Sequence, residues 1–229
     1  MLYSTPDTYI VDGTITIFLG SHSETFKQDI LYSSLLGHLT SNSHSIASNT
    51  WMSTYKKTLG TLFWVTKSTA TQLIKKQSAS ILKFAEPTLS AHLSTAELKE
   101  LTVALGIIKN FPKNSDAIAA LLNRIQLDND SQPSITTVCP LLTVISANKT
   151  VISFRLVFDT SHPVDLAILD EELSQKVVLN GPQTTQWLTY LAEDKYASMR
   201  NKIIEKLGSK IQTNLYHLTP PEDADIRNV

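Results

Sequence analysis

Residues 135–159 read ITTVCPLLTVISANKTVISFRLVFD, and this stretch decides the fold class. From residue 151 to residue 159 apolar side chains recur at alternate positions, and Ser153 and Arg155 stand between them. An alternation with a period of two is typical of a β-strand that buries one face. The stretch therefore predicts a strand with an apolar side and a polar side.

A second strand is predicted directly before it, over residues 135–146. The polar triplet 147–149 between the two strands predicts an antiparallel hairpin. Pro140 lies inside the first strand and has no N–H to donate, which favours an edge position or a bulge there. Two further strands are predicted over residues 165–170 and 183–191.

Helical spacing dominates the residues before 131, where apolar side chains recur every three or four positions. Two serines are followed three residues later by glutamate, at Ser21–Glu24 and Ser94–Glu97, and each pair predicts a capping box at a helix start. Strands are also predicted at 14–19 and 63–73. The predicted helices cover about 24–39, 50–62, 81–93, 95–110 and 116–126, with a long last helix from 193 to about 215.

These elements predict one α+β domain, in which several helices pack on one face of a mostly antiparallel β-sheet. Residues 1–130 form its helix-rich part, and residues 131–218 hold the hairpin and the long C-terminal helix. Residues 219–229 form a tail that is rich in proline and acid.

Hydroxyl side chains are the main compositional feature, since the chain holds 24 serines and 26 threonines while only 18% of its residues are charged. Soluble domains average about 25% charged residues. With a net charge of −1, copies of the chain repel each other little, so we expect a hydroxyl-rich surface that favours self-association. Twenty basic against 21 acidic residues argue against nucleic-acid binding, which needs a basic patch.

The sequence holds no pattern typical of an active site, a cofactor site or a metal site, so we predict none of the three and no enzyme activity. Cys139, the single cysteine, is interpreted as a small buried apolar residue. The aromatic residues Trp51, Tyr55, Phe63 and Trp64 favour a core stripe over a platform for stacking a ligand. An enzyme whose site is assembled from distant residues is the third-ranked hypothesis.

The first hypothesis for function is therefore a structural or interaction protein that assembles with itself through strand edges or apolar helix faces. Isolated apolar and aromatic residues near the ends of a chain often dock on a neighbouring copy. The residues that we expect to take part in such docking are Tyr3, Tyr9, Ile10, Ile226 and Val229.

The alternative hypothesis is a membrane-active or host-targeted toxin or effector that is exported without a classical signal. Segments such as 61–73 are rich in threonine and are long enough to rearrange into strands that cross a membrane, which takes about 9–11 residues. The first residues show no signal-peptide pattern, and no stretch approaches the roughly 18 apolar residues of a membrane helix. We therefore expect a cytoplasmic location, and non-classical export stays open.

Overall fold

A computed structural model of the chain describes residues 5–74, 80–128, 134–171, 178–179 and 181–219. Within these residues it contains nine strands, eight α-helices and one short 3₁₀ helix, Leu166–Leu169. The strands are β1 Asp7–Val11, β2 Thr14–Phe18, β3 Trp64–Leu73, β4 Gln126–Asp128, β5 Thr136–Val138, β6 Leu141–Ile145, β7 Val151–Thr160, β8 Gln183–Leu191 and β9 Leu215–His217. The helices are α1 Glu24–Ser41, α2 Asn49–Thr61, α3 Ile81–His92, α4 Thr95–Asn110, α5 Asp116–Ile125, α6 Glu193–Ala197, α7 Arg200–Leu207 and α8 Lys210–Asn214.

One mixed sheet runs through the molecule in the order β3-β8-β7-β6-β2-β1-β9. Only the β2–β6 pair is parallel, and the other pairs along this path are antiparallel. The short strands β4 and β5 extend the sheet beside the far half of β7. The predicted α+β class with a mostly antiparallel sheet is confirmed.

The predicted hairpin of residues 135–159 forms, with an interruption at Pro140. β5 and β6 both pair with β7, and the Pro140 carbonyl between them accepts a hydrogen bond from the Leu156 N–H at 3.1 Å. The interruption follows from the missing N–H of proline. The strand is not at an edge, because β6 lies between β7 and β2.

A hairpin at the start of the described chain was not predicted. β1 and β2 pair in register around Asp12 and Gly13, whose φ angles are 47° and 77°. A two-residue turn with both φ angles positive matches the twist of the flanking strands, and Asp-Gly is a favoured sequence for it. The segment around Tyr9 and Ile10 is thus part of the sheet and not a free arm.

The helix starts follow serine caps. Ser94 makes the predicted capping box with Glu97, and Ser115 caps α5. Two starts differ from the prediction: Ser23, not Ser21, caps α1, and Ser48 caps α2. In both cases the serine hydroxyl accepts a hydrogen bond from the N–H three residues later, and this bond defines the N-cap position.

The long C-terminal helix is not continuous, which corrects the prediction. The apolar residues keep helical spacing, but the segment divides into α6, α7 and α8 and ends in the strand β9. Gly208 ends α7 with a φ of 50° and a ψ of −128°, a conformation that a helix does not contain. Residues 165–170, predicted as a strand, hold the 3₁₀ helix that Asp165 caps.

Helices cover both faces of the sheet, whereas the sequence predicted one covered face. One face packs against α3, α4 and α5. The opposite face packs against α1, α2, α6 and α7. Each strand in the centre therefore contributes alternate side chains to two separate cores, and β7 divides as predicted, with Ser153 and Arg155 on the side opposite Phe154.

Candidate functional site

The most unusual part of the molecule is the sheet face under α1 and α2, because it carries a set of buried polar side chains among its apolar ones. We call it the hydroxyl face. Every one of its polar side chains is at most 6% exposed. Its members are Thr14, Thr16, Thr143, Ser153, Arg155, Thr185 and Thr189.

Strand register places these hydroxyls side by side across neighbouring strands. Thr16 on β2 lies opposite Thr143 on β6, which in turn lies opposite Ser153 on β7. The hydroxyl oxygens of Thr143 and Ser153 are 3.2 Å apart. Further along, the hydroxyls of Thr185 on β8 and Thr71 on β3 are 3.3 Å apart. Polar groups therefore follow two separate lines on this face: Thr16, Thr143 and Ser153 across β2, β6 and β7, and Arg155, Thr185 and Thr71 across β7, β8 and β3.

The helix layer above this face also makes polar contacts with it. Trp64 at the start of β3 donates its indole N–H to the Ser33 hydroxyl of α1 at 2.9 Å. His38 of α1 lies with its Nε2 3.1 Å from the Thr14 hydroxyl of β2. The Tyr55 ring of α2 packs edge-on against Trp187. The contact between the helix layer and the sheet is therefore a mixture of aromatic and polar groups.

Several polar atoms in this contact have no hydrogen-bond partner among the described residues. Four of them lie on this side of the sheet or in α1, namely His38 Nδ1, Arg155 Nε, Trp187 Nε1 and Thr189 Oγ1. A buried polar group without a partner costs about 1–3 kcal/mol relative to one that is satisfied. The contact between the α1–α2 layer and the sheet thus leaves several polar atoms without a hydrogen bond.

Arg155 is the largest polar group in this contact, and it is 1% exposed. Its Nη2 donates to the carbonyl of Ile46 at 2.6 Å and, at 3.4 Å, to that of Ser48. Both carbonyls belong to the loop between α1 and α2, and no ion pair of Arg155 lies within 4 Å in the part of the chain that the structure describes. A buried cation thus fastens this loop to β7 through neutral oxygens alone.

The loop between α1 and α2 is exposed at residues 42–45 but buried at its centre. Ile46 in this loop is 2% exposed, and its carbonyl lies 3.6 Å from the thiol of Cys139 as well as near Arg155. Cys139 is buried, as predicted, and burial raises the pKa of its thiol. The loop is therefore anchored to the sheet at its centre.

The many serine and threonine side chains were expected at the surface, but not all of them lie there. Fourteen serine and threonine side chains are buried among the described residues, nine of them on the hydroxyl face or in α1 above it. Buried hydroxyls in α1 find acceptors along their own helix, for example Ser41 on the Gly37 carbonyl at 2.8 Å. Part of the serine and threonine content that was expected at the surface therefore lies in the interior, where hydroxyls in α1 bond to carbonyls of their own helix.

One strand edge is left open at the end of the sheet. β3 pairs only with β8 in the described residues, and from Val65 to Leu73 its side chains are exposed apart from the half-buried Ala70. Its single charged residue, Lys67, sits at a shift of register between Thr66 and Ser68. A long exposed edge strand is a template for pairing with another chain, while a bulge and a lysine both oppose such pairing.

The predicted docking residues fall in different environments. Tyr9 is half-buried in β1, where its ring stacks on His217 of β9 with centroids 4.4 Å apart. Ile10 is fully buried in the chain's own core, so its side chain is not free to dock on a second copy while β1 is in place. Tyr3, Ile226 and Val229 lie outside the described residues.

The aromatic group confirms the prediction of a core stripe for three of its members, since Trp51, Tyr55 and Trp64 are buried. Phe63 is half-buried and has a φ of 63° in the turn before β3. In the described ranges no three His, Cys, Asp or Glu side chains are grouped as metal ligands. Among the same residues no helix combines the length and apolar character needed to span a membrane.

No protein-family model and no curated protein sequence matches this chain. Solved structures with a similar arrangement include a delta-endotoxin, which is 12% identical, with a TM-score of 0.44 over 78% of this chain and 80% of that one. The activated Cyt2Ba monomer from Bacillus thuringiensis subsp. israelensis is 12% identical, with a TM-score of 0.38 over 76% and 94%. The Evf virulence factor is 9% identical, with a TM-score of 0.32 over 94% and 86%.

Proposed function

We propose that the protein acts on lipid membranes, and that it does so by releasing the α1–α2 layer from the sheet so that strands β3, β7 and β8 enter the bilayer. The observation that carries this proposal is the buried hydroxyl face, with its unpaired polar atoms under α1. Water would satisfy these atoms once the layer moves away, so the polar contact favours opening more than an apolar one would.

The three strands have the length that the proposal requires. β3 and β7 are ten residues long and β8 is nine, and they are neighbours in the sheet. A strand that crosses the hydrocarbon layer needs about 9–11 residues. The three strands contain only Lys67, Arg155 and Asp159 as charged residues, which keeps the cost of burial in lipid low.

The two sides of β7 differ in the sense that insertion needs. Ile152, Phe154, Leu156 and Phe158 form one side, which now packs against α3–α5. The other side carries polar groups of the hydroxyl face. In a membrane the first side would meet lipid only after α3–α5 have also separated from it, in a second step that follows the rate-limiting opening of the α1–α2 layer. The second side would then meet water or a further copy.

A salt bridge joins α1 to α7 within the helix layer, and removing it tests the opening. Asp29 of α1 is 1% exposed and accepts two hydrogen bonds of 2.7 Å from Arg200 of α7. Asparagine keeps the shape of the Asp29 side chain but loses its charge, and a hydrogen bond to a charged group contributes about 1.5–3 kcal/mol to stability. The Asp29→Asn variant is therefore expected to release dye from lipid vesicles faster than the wild-type chain does.

The control variant is Leu105→Ala in α4, on the other side of the sheet. Leu105 is 2% exposed, and its truncation costs a similar 2–5 kcal/mol without touching α1. Dye release should rise for Asp29→Asn and not for Leu105→Ala at equal loss of thermal stability. Equal acceleration by both variants would contradict opening of the α1–α2 layer, and no release by the wild-type chain at any protein concentration would overturn the membrane function itself.

Self-assembly is the second candidate function, and the open edge of β3 favours it. Backbone groups at a sheet edge need partners, and inside hydrocarbon they need them more than in water, so inserted sheets would pair β3 with another copy. Assembly in solution through the same edge would give the structural protein that the composition favours.

The Thr66→Lys/Thr69→Lys variant tests the edge, because two added charges on β3 repel a second copy. Thr102→Lys/Gln212→Lys is the control, with the same added charge on exposed positions of α4 and α8. If β3 pairs between copies, mass by light scattering over a concentration series should fall toward the monomer for the first variant only. A wild-type chain that stays monomeric in solution and on vesicles would exclude this candidate.

A further inference from the structure

Charge is distributed very unevenly along this chain. From residue 30 to residue 85 there is no aspartate or glutamate, while the same stretch holds six lysines, at 56, 57, 67, 75, 76 and 83. Since the whole chain has a net charge of −1, the remaining residues carry −7. The positive stretch includes all of α2 and β3. The chain therefore contains a long segment without any acidic residue although its total charge is near zero.

The fold places three of the four described lysines of this stretch around one pair of strands, whereas Lys83 lies on α3. The Lys56 ammonium of α2 lies 4.8 Å from the ring centre of Trp187, and that of Lys67 lies 5.3 Å from the ring of Tyr190. Both rings belong to β8, which pairs with β3, and they lie on opposite faces of the sheet, since Trp187 packs in the α1–α2 core and Tyr190 is three residues further along the strand. The lysines therefore flank the β3 end of the sheet from both sides. Lys57 follows Lys56 on α2 and is exposed. We call Lys56, Lys57 and Lys67 the lysine patch.

No member of the lysine patch forms an ion pair among the residues that the structure describes, whereas Lys27, Lys109 and other cations do. Lys57 and Lys67 are exposed and keep their attraction for an external anion, reduced only by dissolved salt, whereas Lys56 is half-buried against Trp187. The patch is therefore available to an anionic partner.

Two exposed apolar side chains accompany the lysines. Val65 on β3 and Tyr190 on β8 lie opposite each other in register and are 40% and 38% exposed. An aromatic ring with a polar end and an aliphatic side chain suit the interface between water and lipid, and lysine side chains attract anionic headgroups there. A nucleic-acid partner fits less well, since the chain as a whole has a pI of about 6.6.

We infer that the lysine patch, together with Val65 and Tyr190, is the surface with which this protein first binds an anionic lipid membrane. This inference rests on the proposed membrane function and adds the class of lipid and the part of the molecule that meets it. The −7 carried elsewhere turns the rest of the molecule away from the same surface, so binding also sets the orientation in which β3 approaches the bilayer.

The test compares binding of the full chain to sedimented vesicles of phosphatidylcholine alone and of phosphatidylcholine mixed with phosphatidylglycerol. The variant is Lys56→Gln/Lys57→Gln/Lys67→Gln. The control is Lys99→Gln/Lys113→Gln/Lys202→Gln, which changes the net charge equally at exposed positions outside the patch. Each lysine near an anionic surface contributes about a fivefold factor in partitioning, so the patch variant should lose on the order of a hundredfold while the control changes little.

Each result decides one question. Binding that needs phosphatidylglycerol, weakens with salt and is lost in the patch variant alone supports the inference. Equal binding by both variants, or binding that phosphatidylglycerol does not strengthen, overturns it. Tighter binding to a single-stranded oligonucleotide than to anionic vesicles also overturns it. Dye release, measured in the same samples, tests the proposed function separately. Release from phosphatidylcholine alone by both variants would overturn the inference but not the membrane function. Patch-dependent binding without dye release would support the inference and overturn the membrane function.

Discussion

His38 is an imidazole that the fold keeps neutral. It is 1% exposed, its ring centre lies 4.7 Å from that of Tyr55 and 5.5 Å from that of Trp51, and its Nδ1 has no partner among the described residues. Burial lowers the pKa of His38 to about 3, although the carboxylate of Asp12 opposes the shift. A proton on this ring would place a charge between two aromatic rings at the centre of the α1–α2 layer.

We therefore expect acid to weaken the folded state through His38. In the unfolded chain a histidine takes up its proton near pH 6.5, whereas in the folded chain it does so only near pH 3. The contribution of His38 is complete above pH 6.5 and is lost as the pH falls toward 3, because the unfolded state binds the proton first. The free energy of unfolding, measured with urea, should fall by up to about 1.4 kcal/mol per pH unit more in the wild type than in His38→Gln.

His44→Gln is the control for this measurement, since His44 is exposed in the loop after α1. Its pH profile should follow that of the wild type. If the His38→Gln profile also runs parallel to the wild type between about pH 6 and pH 4, the ring does not gate the stability of the fold.

At the scale of secondary-structure elements, the contact between α1 and α2 depends on Gly37. A Cβ on Gly37 would lie 2.9 Å from Cε2 and 3.0 Å from Cδ2 of Tyr55, and 3.3 Å from a methyl of Leu59. The Tyr55 ring is held between its aromatic neighbours and has little room to move. Gly37→Ala should therefore lower the free energy of unfolding by about 1–3 kcal/mol, as measured by urea titration, although alanine is the better helix former.

Two other helical glycines provide the matched comparison. Gly60 in α2 and Gly106 in α4 would place a Cβ in open space. Alanine there should raise the free energy of unfolding by up to about 1 kcal/mol, since only helix propensity changes. A Gly37→Ala variant as stable as these two would show that the α1–α2 contact is looser than the structure has it.

At this scale, elements with a local signal were predictable, and elements decided by distant partners were not. The capping box at Ser94 and the alternation of β7 are local and were confirmed. The strand β1 was not predicted, although Asp12-Gly13 is a favoured hairpin turn and is therefore a local signal for the β1–β2 hairpin. β9 could not be found this way, because its three residues continue a helical pattern and become a strand only by pairing with β1.

At the scale of the whole molecule, the two helix layers differ in how polar the sheet face is that each one covers. The α3–α5 layer packs on apolar side chains, whereas the α1–α2 layer covers the hydroxyl face. We expect native-state hydrogen exchange to show a partial opening that exposes α1, α2 and the loop at Ile46, at a free energy below that of the central strands β6 and β7. Exchange of α1, α2 and β6 at one common free energy would contradict a separate opening of this layer.

The candidate site could not be predicted from sequence, and the reason is geometric. Thr16, Thr143 and Ser153 are far apart in the chain and unremarkable singly, and only the register of three strands places them in one row. Burial of these hydroxyls depends on a second helix layer, whereas the sequence predicted one. Abundant serine and threonine therefore predicted a polar surface, since composition does not say which side of a sheet a helix will cover.

The pairing of β1 with β9 has a consequence for how a cell makes this protein. Tyr9 and His217, which stack across that pair, are separated by about 200 residues. While the ribosome is still translating, the N-terminal hairpin has no neighbour on its outer side, and the sheet is finished only when β9 emerges. A nascent chain thus passes through synthesis with an incomplete sheet, and we expect it to depend on chaperones until its last strand has been released.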